Sequence, residues 1–539
     1  MPSPPDHPTA PGRRGSPARL VVELLISLAV LVTLFRTFLA RGYLIETGSM
    51  APCLVGVHWQ EQCPDCGYSF AVEGSRNGLR AACPNCGRSG LAIEEGLQHD
   101  GDHLLVDRGA FDYRAPRRWE VVVFRNPSRL RQTYVKRLIG LPGETVELRH
   151  GDLYVNGVIQ PKPYAAQRGM RILVYDNSFR PAADDPEWQP RWIPTEPDRG
   201  WSAMDDGFEF NPSKFDTSRD DASGLAWVAY RHWIRSGGQH RTSVPLEEWP
   251  AEIPQPDSSD PLSFESKSRS LICRGVLSDS LRDRLLDGSD DPRFLQAIRE
   301  LDQTSHLAPV TDQYGYNRGD QGGGDYEVRD LMVEGQVTVR SPAGEFLIEI
   351  SDGTATMQCL WDFAQGQVRL IDVGTQTTVR TAQIAPGSLA AGARVEVSLM
   401  DHQALVAVDG RLLCEPWSYE SDRPRGSTPW IPVRLGSRGQ AVAVDRLRLF
   451  RDVYYTPGGS TRGPRTAWRL GSDEYFVLGD NSPISRDSRS WPGGVALRGE
   501  MFLGKPLLVH LPSRRSRIGW GSWQTEIRIP EITRIRYVQ

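Results

Sequence analysis

A chain of 539 residues is long enough for two or more domains with cores of their own, and a net charge of −4 gives no argument for nucleic acid as a partner. Glycine (52) and proline (40) are plentiful, which points to loops and β-structure. Of 63 basic residues only five are lysines: Lys136, Lys162, Lys214, Lys267 and Lys505. Arginine keeps its proton in a protein and a buried lysine can lose it. A lysine inside an apolar strand is therefore the first cation to question.

Residues 1–19 are rich in Pro, Gly, Ser and Arg and read as a disordered tail. Residues 20–40 follow as an apolar run whose two charges, Glu23 and Arg36, lie near its ends, where both can snorkel to headgroups. At 1.5 Å per residue this run just crosses a bilayer core, and it is predicted to be a transmembrane helix. It is too long for the apolar region of a cleaved signal peptide, and no clear small-x-small site follows it. Arg13, Arg14 and Arg19 set the tail in the cytoplasm and everything after Arg41 outside.

Directly after the span comes Ile45-Glu46-Thr47-Gly48-Ser49-Met50-Ala51-Pro52. Gly48 permits a tight turn and Pro52 stops regular structure, so Ser49 sits on a loop near the membrane. Next are two knuckles, Cys63-Pro64-Asp65-Cys66-Gly67 and Cys83-Pro84-Asn85-Cys86-Gly87, separated by sixteen residues. This spacing suits one structural, tetrahedral zinc held by Cys63, Cys66, Cys83 and Cys86. Two disulfides are the alternative, because the loop is expected outside the cytoplasm. The segment Thr133 to Glu144 reads as a strand ending in a Pro-Gly turn. Alternation sets Tyr134, Lys136 and Leu138 on one face and Arg137 on the other. Lys136 is then held against apolar neighbours, where desolvation lowers a lysine pKa and leaves an amine able to take a proton from a serine.

From about 165 to 465 the pattern changes. Residues 276–302 indicate two short helices. From about 331 alternating runs predict strands at Gly335–Val339, Glu345–Ile350, Thr356–Trp361, Gln367–Ile371, Arg394–Leu399, Ala404–Val408 and Ala441–Phe450, joined by turns such as Val408-Asp409-Gly410-Arg411. Evenly spaced strands of this kind argue a β-sandwich. A last motif runs from Glu474 through Asp480 and Ser485 to Arg489, a short strand entering a polar loop in which Asp487 and Arg489 are spaced to pair.

Together with Gly101–Asp107 and Trp119–Pro127, these motifs resemble, in order and content, the signature boxes of bacterial type I signal peptidases. The resemblance covers residues 17–55, 100–163 and 467–512. It implies Ser49 as nucleophile and Lys136 as general base, a variant of the triad logic. It also implies an oxyanion hole made by the Thr47 side chain and the Ser49 backbone N–H. Ser485 matches the residue that hydrogen-bonds the lysine, and Asp480, Asp487 and Arg489 match positions that shape the site. Two departures leave the dyad untouched: Cys53 stands where a Thr is usual, and Ser482-Pro483-Ile484 diverges in the last box. The paired knuckles resemble a zinc-ribbon. The stretch Arg394–Gly410 looks like a concanavalin or laminin-G jelly roll, for which no ligand constellation is visible.

The expected fold is mainly β. It has a cytoplasmic tail (1–19), a transmembrane helix (20–40), an antiparallel catalytic domain (41–60, 98–165 and 466–520), a zinc-ribbon-like insert (61–97), a large insert (166–465) with a β-sandwich at about 331–450, and a C-terminal tail (521–539). The large insert is expected to be separable from catalysis. The function implied is a single-pass inner-membrane serine endopeptidase with its catalytic domain on the extracytoplasmic side. It needs no catalytic cofactor and removes signal peptides from exported preproteins after a small residue. Its partners are those signal peptides, the lipid bilayer and an unknown ligand of the sandwich. The alternatives are another Ser–Lys membrane maturation protease, or a catalytically silent membrane-tethered binding protein.

Overall fold

The computed structural model describes residues 17–34, 40–74, 80–93, 98–182, 188–196, 199–215, 224–235, 241–256, 261–275, 277–317, 326–341, 344–385, 387–419, 426–456, 467–492, 495–510, 513–520 and 523–538. Most of the expected N-terminal tail lies outside these residues. Pro17–Leu34 is an α-helix with exposed Leu20, Leu24, Leu25 and Leu31. Among the described residues no helix is long and apolar enough to cross a membrane. The span expected at 20–40 runs on into residues 35–39, which are not described, and Ala40 already belongs to a strand.

The sequence boxes converge on one eight-stranded sheet. Its order is Ala40–Leu44, His103–Asp107, Phe502–Val509, Val121–Asn126, Arg129–Gly140, Glu474–Leu478 and Leu497–Arg498, with Arg536–Tyr537 paired to Phe502–Val509. Every pairing is antiparallel. Val121–Phe124 is buried on both faces, as a run of β-branched and aromatic residues in a central strand should be. A smaller sheet joins Val158–Ile159, Asp152–Val155, Thr145–Arg149 and Trp468–Arg469, so chain from before and after the large insertion meets at its two ends.

Within the insertion each strand expected between 335 and 450 is present, with bounds moved by one to four residues. A nine-stranded sheet runs Trp201–Met204, Gly207–Phe210, Val442–Arg451, Leu331–Val339, Ala393–Met400, Gln403–Val408 and Arg411–Leu412, with Ile172–Asp176 and Trp417–Ser418 paired at its sides. Opposite it lie Glu345–Ser351, Thr356–Asp362, Gln367–Asp372 and Thr377–Gln383, beside Trp192–Pro194, Ala226–Tyr230 and Val433–Arg438. The sheets therefore reach back well before residue 331. Strands as short as Gly207–Phe210 carry too few alternating residues to announce themselves, and they pair because Val442–Arg451 offers them an edge. Phe346, Trp361, Val395 and Leu435 form the shared core of the two sheets. Cys63, Cys66, Phe70, Cys83 and Cys86 belong to the same core, so the cysteine knuckles are packed onto the insertion.

The expected short helices are Asp279–Asp287 and Pro292–Ser305. The second starts as its sequence requires, with Pro292 at the first helical position and the Asp291 carboxylate accepting from Arg293 N–H at 2.9 Å. They pack Phe294, Ile298 and Leu301 onto a three-stranded sheet through Val244 and Leu271. The C-terminal tail expected at 521–539 is a correction. Trp523–Pro530 forms a hairpin with Ser513–Trp520, and Arg536–Tyr537 joins the main sheet, where Arg536 donates to Asp102 at 2.6 Å. The alternation Thr525, Ile527, Ile529 is a strand pattern that a reading of tail by position overlooks.

Candidate active site

Ser49 lies on the turn that follows Ala40–Leu44, half-buried. Lys136 lies on the fifth strand of the sheet, opposite Val122, and is 3% exposed. The Lys136 amine donates to Ser49 Oγ at 2.5 Å. Burial pushes that amine down to about 8, against the opposing pull of Asp487 and Asp480. A serine hydroxyl thus faces an amine that is partly neutral near pH 8, the requirement for removing a serine proton. Thr47 Oγ1 stands 3.4 Å from Ser49 Oγ on the exposed side of the turn.

The last box surrounds this pair. The strand geometry sends Arg137 to the other face, where its Nε and Nη2 grip Asp480 Oδ1 and Oδ2 at 2.8 and 2.7 Å, with both side chains fully buried. Arg489 grips Asp487 in the same forked way, at 2.9 and 2.7 Å, and donates to Ser482 Oγ at 2.7 Å. Burial alone would raise Asp487, but Arg489 outweighs it and holds the carboxyl below its usual range. Ser485 Oγ is buried beside Gly479 and acts on the Asp487 carboxyl rather than on Lys136, so the contact to Lys136 that the resemblance implies is not formed in this structure. A cavity of about 650 Å³ opens on the pair, lined by Tyr43, Thr47, Ser49, Tyr134 and Lys136 and also by Glu73, which the knuckle segment supplies.

Three contributors were invisible in the sequence. Asn481 donates its amide to Gly48 O at 3.0 Å, and its backbone N–H to Ser49 O at 3.2 Å. Asn317, from the large insertion, exchanges two hydrogen bonds with the Asn481 side chain. The Tyr316 ring lies against Gly48. The insertion, expected to be separable from catalysis, thus reaches the serine turn. An Asn or Tyr in a loop carries no periodic signal, and only tertiary closure brings these together.

The four cysteines lie with their sulfurs within 4.8 Å of one another, at 3.6 Å for Cys63–Cys86 and 3.7 Å for Cys66–Cys83. None of the eight cysteines is in a disulfide. A tetrahedron with Zn–S bonds of about 2.3 Å has edges of about 3.8 Å, so the donor set fits zinc. Gly67 and Gly87 adopt φ of +74° and +76°, and their N–H groups donate to Cys63 O and Cys83 O, closing each knuckle turn.

The signal peptidase family, peptidase S26, matches residues 92–196, a stretch that includes Lys136 and stops short of both Ser49 and the Asp480 loop. Among individual relatives, a signal peptidase I of Leptolyngbya laminosa is 30% identical over 103 residues, 18% of this chain and 43% of the relative. One from Bacillus amyloliquefaciens is 41% identical over 68 residues, 13% of this chain and 35% of the relative. One from Bacillus licheniformis is 27% identical over 146 residues, 27% of this chain and 54% of the relative. The chain thus spans about half or less of the curated relatives it matches. Among solved structures, a carbohydrate binding module from Bacillus subtilis aligns at 11% identity over 22% of this chain and 74% of its own, with a TM-score of 0.18, a likeness that carries no argument.

Proposed function

We propose that the chain is a signal peptidase I that cuts signal peptides from exported preproteins through a Ser49–Lys136 dyad. The observation that carries the reading is the 2.5 Å contact between a buried, pKa-depressed lysine amine and a serine hydroxyl at the edge of a cavity. Neutral Lys136 takes the hydroxyl proton as Ser49 Oγ attacks the scissile carbonyl. The Ser49 backbone N–H and Thr47 Oγ1 stabilise the oxyanion. The protonated amine then gives its proton to the leaving amine, and water hydrolyses the acyl-enzyme. No cofactor enters these steps. The apolar run at 20–40 anchors the chain in the inner membrane, with the catalytic sheet outside. The 61–97 segment holds one structural zinc on Cys63, Cys66, Cys83 and Cys86, and the two-sheet insertion is a β-sandwich. The similarity to peptidase S26 and to signal peptidase I proteins supports this reading.

Cleavage of a reporter preprotein by the purified chain beside Ser49→Ala tests it. Ser49-dependent cleavage after a small residue is expected, and a Ser49→Ala variant that cleaves as well as the parent sinks the assignment.

A further inference from the structure

We propose that Tyr316 and Asn317, carried by the large insertion, are positioning residues of the Ser49 turn, so that the insertion completes the active site. This rests on the reading of Ser49 as nucleophile.

The first half of the argument is a saturated amide pair. Asn481 Nδ2 has two hydrogens; one goes to Gly48 O at 3.0 Å and the other to Asn317 Oδ1 at 2.6 Å. Its Oδ1 accepts from Asn317 Nδ2 at 2.7 Å. An asparagine amide presents nearly the same shape when its oxygen and nitrogen are exchanged, so only its partners fix which end points where. Gly48 O, which can only accept, sets which end of Asn481 faces the turn. Asn317 makes the other two side-chain bonds and holds the Asn481 amide in its plane, and Asn481 in turn holds the successive carbonyls of Gly48 and Ser49. With Asn317 truncated, Asn481 keeps one of its three side-chain bonds, its side chain can leave this rotamer, and the tether on the turn loosens.

The second half is steric. A Cβ added to Gly48 would run into the Tyr316 side chain, to which its three nearest atoms all belong. Gly48 is not among the residues with positive φ, so an alanine there is compatible with the backbone and meets that ring first. Tyr316 is 3% exposed, stacks on Tyr314, and accepts at its carbonyl from Glu73 N–H at 3.0 Å. Upstream, Arg451 Nη2 holds the carbonyls of Asp312 and Gln313 at 2.8 and 3.0 Å. The turn that carries the serine is thus closed by a segment anchored at once to the insertion's long strand and to the knuckle segment.

The test uses the full chain with Tyr316→Ala, Asn317→Ala, Gly48→Ala and Gly48→Ala/Tyr316→Ala. Because small misplacements of a nucleophile are costly, Tyr316→Ala and Asn317→Ala should each lower kcat about 10- to 100-fold with KM within about twofold. Gly48→Ala should be weaker still, and removing the ring in that background should recover activity, whereas two merely destabilising changes would add. The pH midpoint of the rate should stay put, since neither residue touches Lys136. Amide exchange over residues 45–56 should quicken in Tyr316→Ala and Asn317→Ala. Unchanged exchange, or no recovery in the double variant, overturns the inference whatever the substrate. Quickened exchange in a chain without Ser49-dependent cleavage keeps the clamp and removes the nucleophile reading instead.

Discussion

Arg137 and Asp480 are 343 residues apart in sequence and meet as a two-bonded, fully buried ion pair directly behind the strand that carries Lys136. Arg137 Nη1 also donates to Trp119 O at 2.7 Å, so the guanidinium ties together the lysine strand, the residue that precedes its neighbour, and the last box. Breaking one side of a buried pair leaves an uncompensated charge. Asp480→Asn should therefore cost about 3–5 kcal/mol, measured by denaturant unfolding. A loss below about 1 kcal/mol, the range of surface pairs, would mean that the pair is not buried in solution.

Lys136 can act as the proposed base only when neutral. With its pKa at about 8, kcat/KM should rise through pH 8 and level off above it. Lys136→Arg should be as inactive as Lys136→Ala, because arginine stays protonated. A rate flat between about pH 6 and 9, or substantial cleavage by Lys136→Arg, would show that the side chain serves only as a cation.

The Asp487 charge favours the protonated amine, whereas Arg489 disfavours it. Neutralising the carboxyl in Asp487→Asn removes the first effect and frees the second from its counter-charge. Both changes lower the Lys136 pKa. The midpoint of the pH–rate curve should move down by about one unit even as the plateau falls. An upward move would contradict the electrostatic account.

Metal analysis of the purified chain should find about one zinc per chain, absent from Cys63→Ser. The cysteines sit in the core shared with the two large sheets. Stripping the metal should therefore lower the thermal midpoint of that whole body, by about 10 °C if the site contributes a few kcal/mol. Two intact disulfides and no metal, seen by mass spectrometry, would reject the assignment.

What the sequence made legible was whatever local pattern or chemical scarcity could carry. Alternation in Glu345–Ile350 or Arg394–Leu399 gave those strands, and a rare lysine in an apolar run singled out Lys136. Thr377–Gln383 was missed because it is largely exposed and polar on both faces, so no period-2 pattern shows. Val433–Arg438 is interrupted by Gly436, which the Trp227 side chain packs against. The Asn317–Asn481 pair has no sequence signal at all, since neither residue's neighbourhood mentions the other. For that reason the insertion read as detachable, although the serine turn leans on it.

The clamp on the serine turn also imposes an order in time. A ribosome delivers Ser49 and Lys136 early, Tyr316 and Asn317 much later, and Asn481 and Arg489 near the end of synthesis. Through that interval the nascent chain holds Ser49 and Lys136 with no counterpart to fix the turn or to bury Arg137. On the proposed reading the dyad is therefore born latent, and the chain's own last box acts as the arming step.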